Sequence, residues 1–566
     1  MRRRLWISAS ATASLLVVAA LALPLGASSS PLRRAAPGAL PPPPPPPACQ
    51  PGAIPTRVPQ PCLAKGGGSG VARGDFNGDG FGDLAVGVPY ENVGAGNTNG
   101  GAVNVIYGSA TGLTSTGNEF WYQGSPGVAG VPEDFDHFGF ALASGDFDGN
   151  SQYSDLAIGV PGEDIGSIHD AGLVQILKGG SGGLSALRSW DLSQATAGDW
   201  TPCTDCQLGA ALAWGDFNHG AGGDIAIGMP GFELPLLTHT PGSISAGAVA
   251  VLYHGPSGLS TLGHQLWAWD CGILCPLRDP RLSRLPTGGR LGESLAAGDV
   301  DGDGTDDVAI GTWDHVCVVR GSGDGLLESR TRAFQPGSGN VPGSFQSDDA
   351  FGASLAISKS HRLLIGAPLR YLVVPTYPGF KSEAGAVWDI DYSGQGRIWT
   401  QSELPSATPE DRDHFGWSLA SADFDGDGKA DLAIGVPGED VGSISNTGIV
   451  QVLYGTSSGF SASGAQIWHQ DSTGVPGSAE IGDAFGFSVS AWNYGNGSQA
   501  DLAIGVPYED VLNTGSTRHN AGAVELLYGS PSPSKLTATG SQIWTQASPG
   551  MLDTADTDDL FGYALY

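Results

Sequence analysis

The chain has 566 residues, with 57 Asp plus Glu against 26 Lys plus Arg and a formal charge of −31. That balance argues against nucleic acid or an anionic membrane as a partner. A disordered acidic chain is excluded by its 40% hydrophobic content and 14 Trp, and its 89 glycines fit a fold of many tight turns.

The first element is a signal peptide over residues 1–30. Arg2, Arg3 and Arg4 form a basic start, Leu15 to Leu25 an apolar stretch, and small residues around Ala27 to Ser30 a cleavage region. The apolar stretch is shorter than the ~20 residues of a spanning helix. Export is therefore expected, to a secreted or cell-surface location, with no membrane insertion after signal removal. An uncleaved signal anchor is the alternative. Residues 31–64 read as a Pro-rich linker and N-terminal arm, in which Pro41 to Pro47 form a polyproline II spacer. The seven cysteines suit an oxidising compartment. Cys49 and Cys62 could pair. Cys203/Cys206 and Cys271/Cys275 could pair locally or with each other, with a zinc site as the minor alternative. Cys317 is left over and is expected to be a buried free thiol.

From residue 65 onward an acidic phrase recurs: DFNGDGFGDLAVGVP from Asp75, DVDGDGTDDVAIG from Asp299 and DFDGDGKADLAIGVP from Asp423. Each is D-x-[DN]-x-D-G-x-x-D followed by an apolar run. Oxygen atoms at positions 1, 3, 5 and 9 can converge on one cation when the chain turns at the Gly in position 6, with a backbone carbonyl added from position 7. A hard, oxygen-only set suits Ca²⁺. The expected ligands are Asp75, Asn77, Asp79, Phe81 and Asp83; Asp299, Asp301, Asp303, Thr305 and Asp307; and Asp423, Asp425, Asp427, Lys429 and Asp431. Two loops depart from the pattern. Asp146, Asp148 and Asn150 reach their last acid, Asp155, one residue late. Asp216, Asn218 and Asp224 keep the spacing but have Gly220 at position 5. The segment Asn493 to Asp501 and the turn around Lys359 keep too few oxygens and are expected to be metal-free.

The strand after the loop appears seven times: LAVGVP at 84, LAIGVP at 156, IAIGMP at 225, VAIGT at 308, LLIGAP at 363, LAIGVP at 432 and LAIGVP at 502. Each copy has four strand-like runs, and most fourth runs carry a Trp. No helical period follows the signal. The expected fold is all-β, a seven-bladed β-propeller of four-stranded antiparallel blades over residues 65–566. The chain ends FGYALY, a first strand without its repeat, whereas the first repeat has a poor first strand. The C-terminal strand is therefore expected to close the ring in blade 1; another register or a truncated eighth repeat are alternatives.

FG at the first strand, GVP or GAP after the second and the acidic loop between them resemble the FG-GAP repeat, which builds the N-terminal propeller of integrin α subunits. The resemblance implies a seven-bladed propeller with Ca²⁺ in several hairpins and extracellular adhesion or ligand binding more often than catalysis. Arg73-Gly74-Asp75 spells the RGD tripeptide that integrins bind, but Asp75 is a metal-loop position and Gly74 matches Gly145, Gly215 and Gly298, so loop structure is the reading.

Two further acidic sets lie on the other face. Glu91, Glu163-Asp164, Glu439-Asp440 and Glu509-Asp510 follow the second strand; Asp136, Asp349, Asp413, Asp483 and Asp559 precede the FG by two residues. They read as turn caps or as a ligand-facing rim. No G-x-S-x-G, H-E-x-x-H or P-loop occurs. The expectation is a non-enzymatic binding module for an extracellular protein or glycan, with a carbohydrate-active hydrolase or lyase, or a purely structural surface protein, as alternatives. Leu236, Leu237, Tyr371 and Tyr377 are candidates for the partner surface.

Overall fold

Second strands such as Leu84–Val88 and Asp155–Val160 are buried along their whole length, so both faces of each sheet need cover. Stacking small sheets around an axis supplies it. The structure, a computed structural model, describes residues 74–94, 97–193, 202–220, 222–233, 247–255, 258–268, 290–312, 314–373, 380–404 and 408–566. It contains seven four-stranded antiparallel blades. Blade 2 shows the plan: Leu142–Gly145, Asp155–Val160, Leu173–Lys178 and Ser185–Ser193, paired in chain order. Blades 3 to 7 begin with strands Ala211–Gly215, Ser294–Gly298, Ser354–Ser358, Leu419–Ala422 and Ser488–Trp492. Two small hairpins, Leu372–Val373 with Phe380–Lys381 and Val511–Asn513 with Ser516–Arg518, decorate the second-to-third-strand loops of blades 5 and 7.

Blade 1 takes its innermost strand from the far end of the sequence. Val86 pairs with Leu565 and Gly87 with Ala564. Ala85 and Tyr566 exchange backbone hydrogen bonds of 2.9 and 3.0 Å. The C-terminal strand thus closes the ring in blade 1, as expected.

The two glycines of the repeat have one shared cause. A Cβ on Gly87 would lie 2.2 Å from the carbonyl oxygen of Gly139 in the next blade. Gly505 meets Gly562 at 2.1 Å in the same way across the closing seam. The blades approach backbone to backbone at this level, which side chains would prevent. The repeat's Phe138, Phe351, Phe415, Phe485 and Phe561 are all fully buried.

Cys203 bonds to Cys206. Cys317 is buried and disulfide-bonded rather than the free thiol expected, with its partner outside the described residues. The signal, the linker, Cys49, Cys62, Cys271 and Cys275 also lie outside the described residues.

Candidate metal loops and the opposite loop face

Each acidic loop leads into the second strand of its blade, from that blade's own first strand in all but blade 1. In the first, Asp75 accepts N–H bonds from Gly78, Asp79 and Gly80 at 2.6, 3.1 and 2.9 Å. Asp299 is wrapped identically by Gly302, Asp303 and Gly304 at 2.6, 3.1 and 3.0 Å. Asp423 accepts from Asp427 and Gly428. The backbone thus orients the first carboxylate inward while leaving it further lone pairs. Carboxylate oxygens of Asp423, Asp425 and Asp431 lie within 4.8 Å of one another, as do those of Asp299, Asp301 and Asp303. That crowding fits a divalent cation.

Asp146, Asp148 and Asp155 converge to the same limit, although the sequence makes Asp155 late. Ser151 takes up the additional residue in a left-handed conformation, φ 56°, and Asp146 is wrapped by Gly149, Asn150 and Ser151. In the blade 3 loop Asp216 accepts from Gly220 alone among the described residues, and Asn218 donates to Asp224. Asn77 and Asp79 in blade 1 are tied to each other by side-chain and backbone bonds. The N–H groups of Phe81, Thr305 and Lys429 bond to the position-5 aspartates Asp79, Asp303 and Asp427. Around Lys359 the chain makes only a tight turn from Ser358 to Arg362.

The ninth-position aspartate does more than sequence spacing suggests. Asp83 accepts from Phe76 N at 2.7 Å and Gly108 N at 2.9 Å, stapling its loop to the end of the third strand. Asp155, Asp224, Asp307 and Asp431 repeat this pair of bonds. So does Asp501, in the loop that lacks the other acids. Burial is the first cause that pushes their carboxyls up: to about 8 for Asp83 and Asp501 and about 7 for the other four. Neighbouring loop acids add to the rise in all but Asp501, and backbone N–H bonds oppose it.

The comparisons follow this geometry. The FG-GAP repeat family matches residues 67–106 and 415–453, which contain the blade 1 and blade 6 loops. The chain is 41% identical to integrin alpha-PS2 of Drosophila melanogaster over 92 residues, 16% of this chain and 6% of that protein. It is 40% identical to integrin alpha-PS5 of the same organism over 107 residues, 19% and 10% of the two chains. It is an integrin-α-like FG-GAP propeller. Phosphatidylinositol-glycan-specific phospholipase D of Homo sapiens is 26% identical over 403 residues, 65% of this chain and 43% of that protein. The chain spans less than half the length of these curated relatives.

In this FG-GAP propeller the second-to-third and fourth-to-first loops form the face opposite the acidic hairpins. The FG-preceding aspartates cap turns there. Asp136, Asp483 and Asp559 each accept the N–H three residues upstream at 2.5 Å, and Asp413 does likewise from Glu410. The residue directly before each FG or LG pair is left-handed without being glycine: His137, Gln207, Arg290, Ala350, His414, Ala484 and Leu560 have φ from 39° to 59°. Here His137 and His414 serve blade structure.

A second device was missed. Gln123, Gln401, Gln470 and Gln546 leave the fourth strand two residues after a Trp. Each donates to a glutamate of the next blade, Glu163, Glu439, Glu509 and Glu91, at 2.5–2.6 Å. Gln546 also donates to Asp553 at 2.7 Å. The recurring W-x-Q was the available signal. Burial, then neighbouring acids, hold Glu91 at about 9; Glu439 is raised to about 8 and Glu509 to about 7, chiefly by burial. Inside the ring at this end, the residue after the FG is aromatic in four blades. Phe487 packs against Trp417 at 5.6 Å and Tyr563 at 5.2 Å, and Tyr563 against Phe140 at 5.7 Å.

Proposed function

We propose that this chain is an exported, calcium-binding propeller that acts as an extracellular binding module, taking a protein or glycan ligand on the face opposite its acidic hairpins. The observation that carries the reading is the distribution of exposed apolar side chains. Val131, Phe135, Phe345, Tyr371, Val373, Ile481, Leu512 and Leu552 are the large exposed hydrophobics of that face; among the described residues only Leu266 lies elsewhere. Water-facing apolar groups gathered on one side of a rigid scaffold mark a contact surface. Tyr371 is 45% exposed; Leu236, Leu237 and Tyr377 lie outside the described residues.

The buried acids of the same face favour binding over catalysis. Glu91, Asp136, Asp413, Asp483 and Asp559 are buried and committed to glutamine or backbone partners, away from any substrate that would need an acid or base at the rim. No helix among the described residues is long and apolar enough to cross a membrane. The calcium part of the reading rests on the clustered aspartates of the hairpins.

The test is an array of extracellular proteins and glycans, phosphatidylinositol glycans included, probed with the chain in calcium and in chelator. Tyr371→Asp with Ile481→Asp should weaken capture at least tenfold without altering melting. Capture that survives these changes but is lost on substituting exposed hairpin-face residues would place the ligand on the wrong side; turnover of a polysaccharide by the unmodified chain would reject the non-enzymatic reading.

A further inference from the structure

The most acidic of the loops is the one that the fold meets with its own positive charge. The third-strand residue paired opposite the ninth-position aspartate is Tyr107, Tyr253, Tyr454 or Tyr528 in blades 1, 3, 6 and 7. In blade 4 it is Arg320 and in blade 2 it is Lys178. Arg320 binds Asp303 Oδ2 at 2.8 Å and pairs through Nε with Asp301 Oδ2. The other oxygens of these two carboxylates, both Oδ1, accept N–H bonds from Thr305 and Asp303. Arg320 therefore takes, from each of these carboxylates, the oxygen that the loop backbone leaves free. The guanidinium is fixed from outside by the Tyr392 ring, 5.5 Å away, and is only 19% exposed. His361, from the shortened blade 5 turn, adds a ring nitrogen 3.5 Å from Asp299 Oδ2. Lys178 stands 3.7 Å from Asp148 Oδ2 in the blade 2 loop.

Blades 1 and 6 differ. Among the described residues no Lys, Arg or His forms an ion pair with Asp75, Asp79 or Asp83, nor with Asp423, Asp425 or Asp431; in blade 6 Lys429 pairs with Asp427 from a more exposed position, 40% against 14% for Lys178, and its charge and that of Lys535 act on Asp425 only at longer range.

Resting on the reading of the hairpins as calcium sites, we propose that Arg320 is the resident cation of the blade 4 loop and Lys178 that of the blade 2 loop. Calcium then loads the blade 1 and blade 6 loops, while blades 2 and 4 are neutralised by the chain itself. An arginine is permanently charged and forked to match carboxylates, so calcium would have to displace it from two carboxylates at once. Lysine offers a point charge to one, and blade 2 is the more easily converted.

The experiment counts bound calcium by calorimetric titration and elemental analysis of chelator-stripped protein. In the unmodified chain Asp303→Asn should leave the count unchanged and Asp425→Asn should lower it by about one ion. Arg320→Tyr, installing the residue four other blades use, should raise the count by about one ion per chain, and Lys178→Tyr should do the same. A lower count in Asp303→Asn overturns the proposal, as does an unchanged count in a folded Arg320→Tyr protein. If Arg320→Tyr fails to fold, the Asp303→Asn and Asp425→Asn pair decides alone. Calcium bound by Arg320→Tyr and not by the unmodified chain upholds the resident cation and rejects calcium in blades 1 and 6; calcium in neither rejects both.

Discussion

In blade 5 the guanidinium of Arg370 donates to Asp349 at 2.6 Å, at the sequence position where four other blades carry the clasping glutamate. Both partners are buried, at 7% and 1% side-chain exposure, and Trp388 covers the pair, its ring 4.9 Å from the guanidinium carbon. At this position a fixed cation thus stands in for a glutamate whose carboxyl burial pushes up, as it does for Glu91, Glu439 and Glu509.

Removing one member of that pair leaves the other charged and unsolvated. Arg370→Ala should cost about 3–5 kcal/mol in urea unfolding, whereas replacing both residues with apolar ones should recover most of it. Equal losses in the single and double variants would show that packing against Trp388, and not charge, is what matters.

The clasping glutamates make the sign of the pH response unusual for carboxylates. Their folded values, about 9 for Glu91, 8 for Glu439 and 7 for Glu509, lie above the unfolded value near ~4.3. Their contribution is complete below that unfolded value and is lost as pH rises through the folded ones. In chelator, unfolding free energy should therefore fall between pH 5 and 9, by up to about 1.4 kcal/mol per pH unit for each group titrating. A flat or rising profile would mean that these carboxyls stay ionised in the folded ring.

Calcium bound at the hairpins would act in the opposite sense. A ligand held by the native state alone stabilises it by mass action, about 2.7 kcal/mol at a hundredfold excess over Kd. Melting in millimolar calcium should exceed melting in chelator, and Asp425→Asn should shrink the difference. Coincident midpoints with no metal in the purified protein would remove calcium from the account.

Truncation before Phe561 removes the strand that pairs with Val86 and Gly87, together with Phe561 and Tyr563 from the core. Loss of two such aromatics alone costs about 3–5 kcal/mol each. The shortened chain should lose cooperative unfolding in circular dichroism; an unchanged transition would show that another segment closes the ring.

Most of the architecture was written in the sequence because the repeat is short-range: the loop, its following strand and the FG-G pair recur within one blade. The orphan FGYALY announced closure for the same reason. What was hidden depends on neighbours in space. Gln546 and Glu91 are 455 positions apart, and Arg320 faces Asp303 across 17 positions and a strand reversal. The late Asp155 looked doubtful by spacing, but a single left-handed Ser151 corrects it. Cys317 looked free because the sequence pairs the other cysteines locally and leaves it over.

Closure by residues 564–565 onto 86–87 also sets an order of events during synthesis. The edge of Leu84–Val88 is synthesised long before Ala564–Leu565, the strand that covers it. Until then the nascent chain is an open arc with one raw strand edge, the template that unpaired strands offer to other chains. Vectorial growth thus makes one two-residue pairing the step that joins the two ends of the ring, and any chain stalled short of Phe561 is left without it.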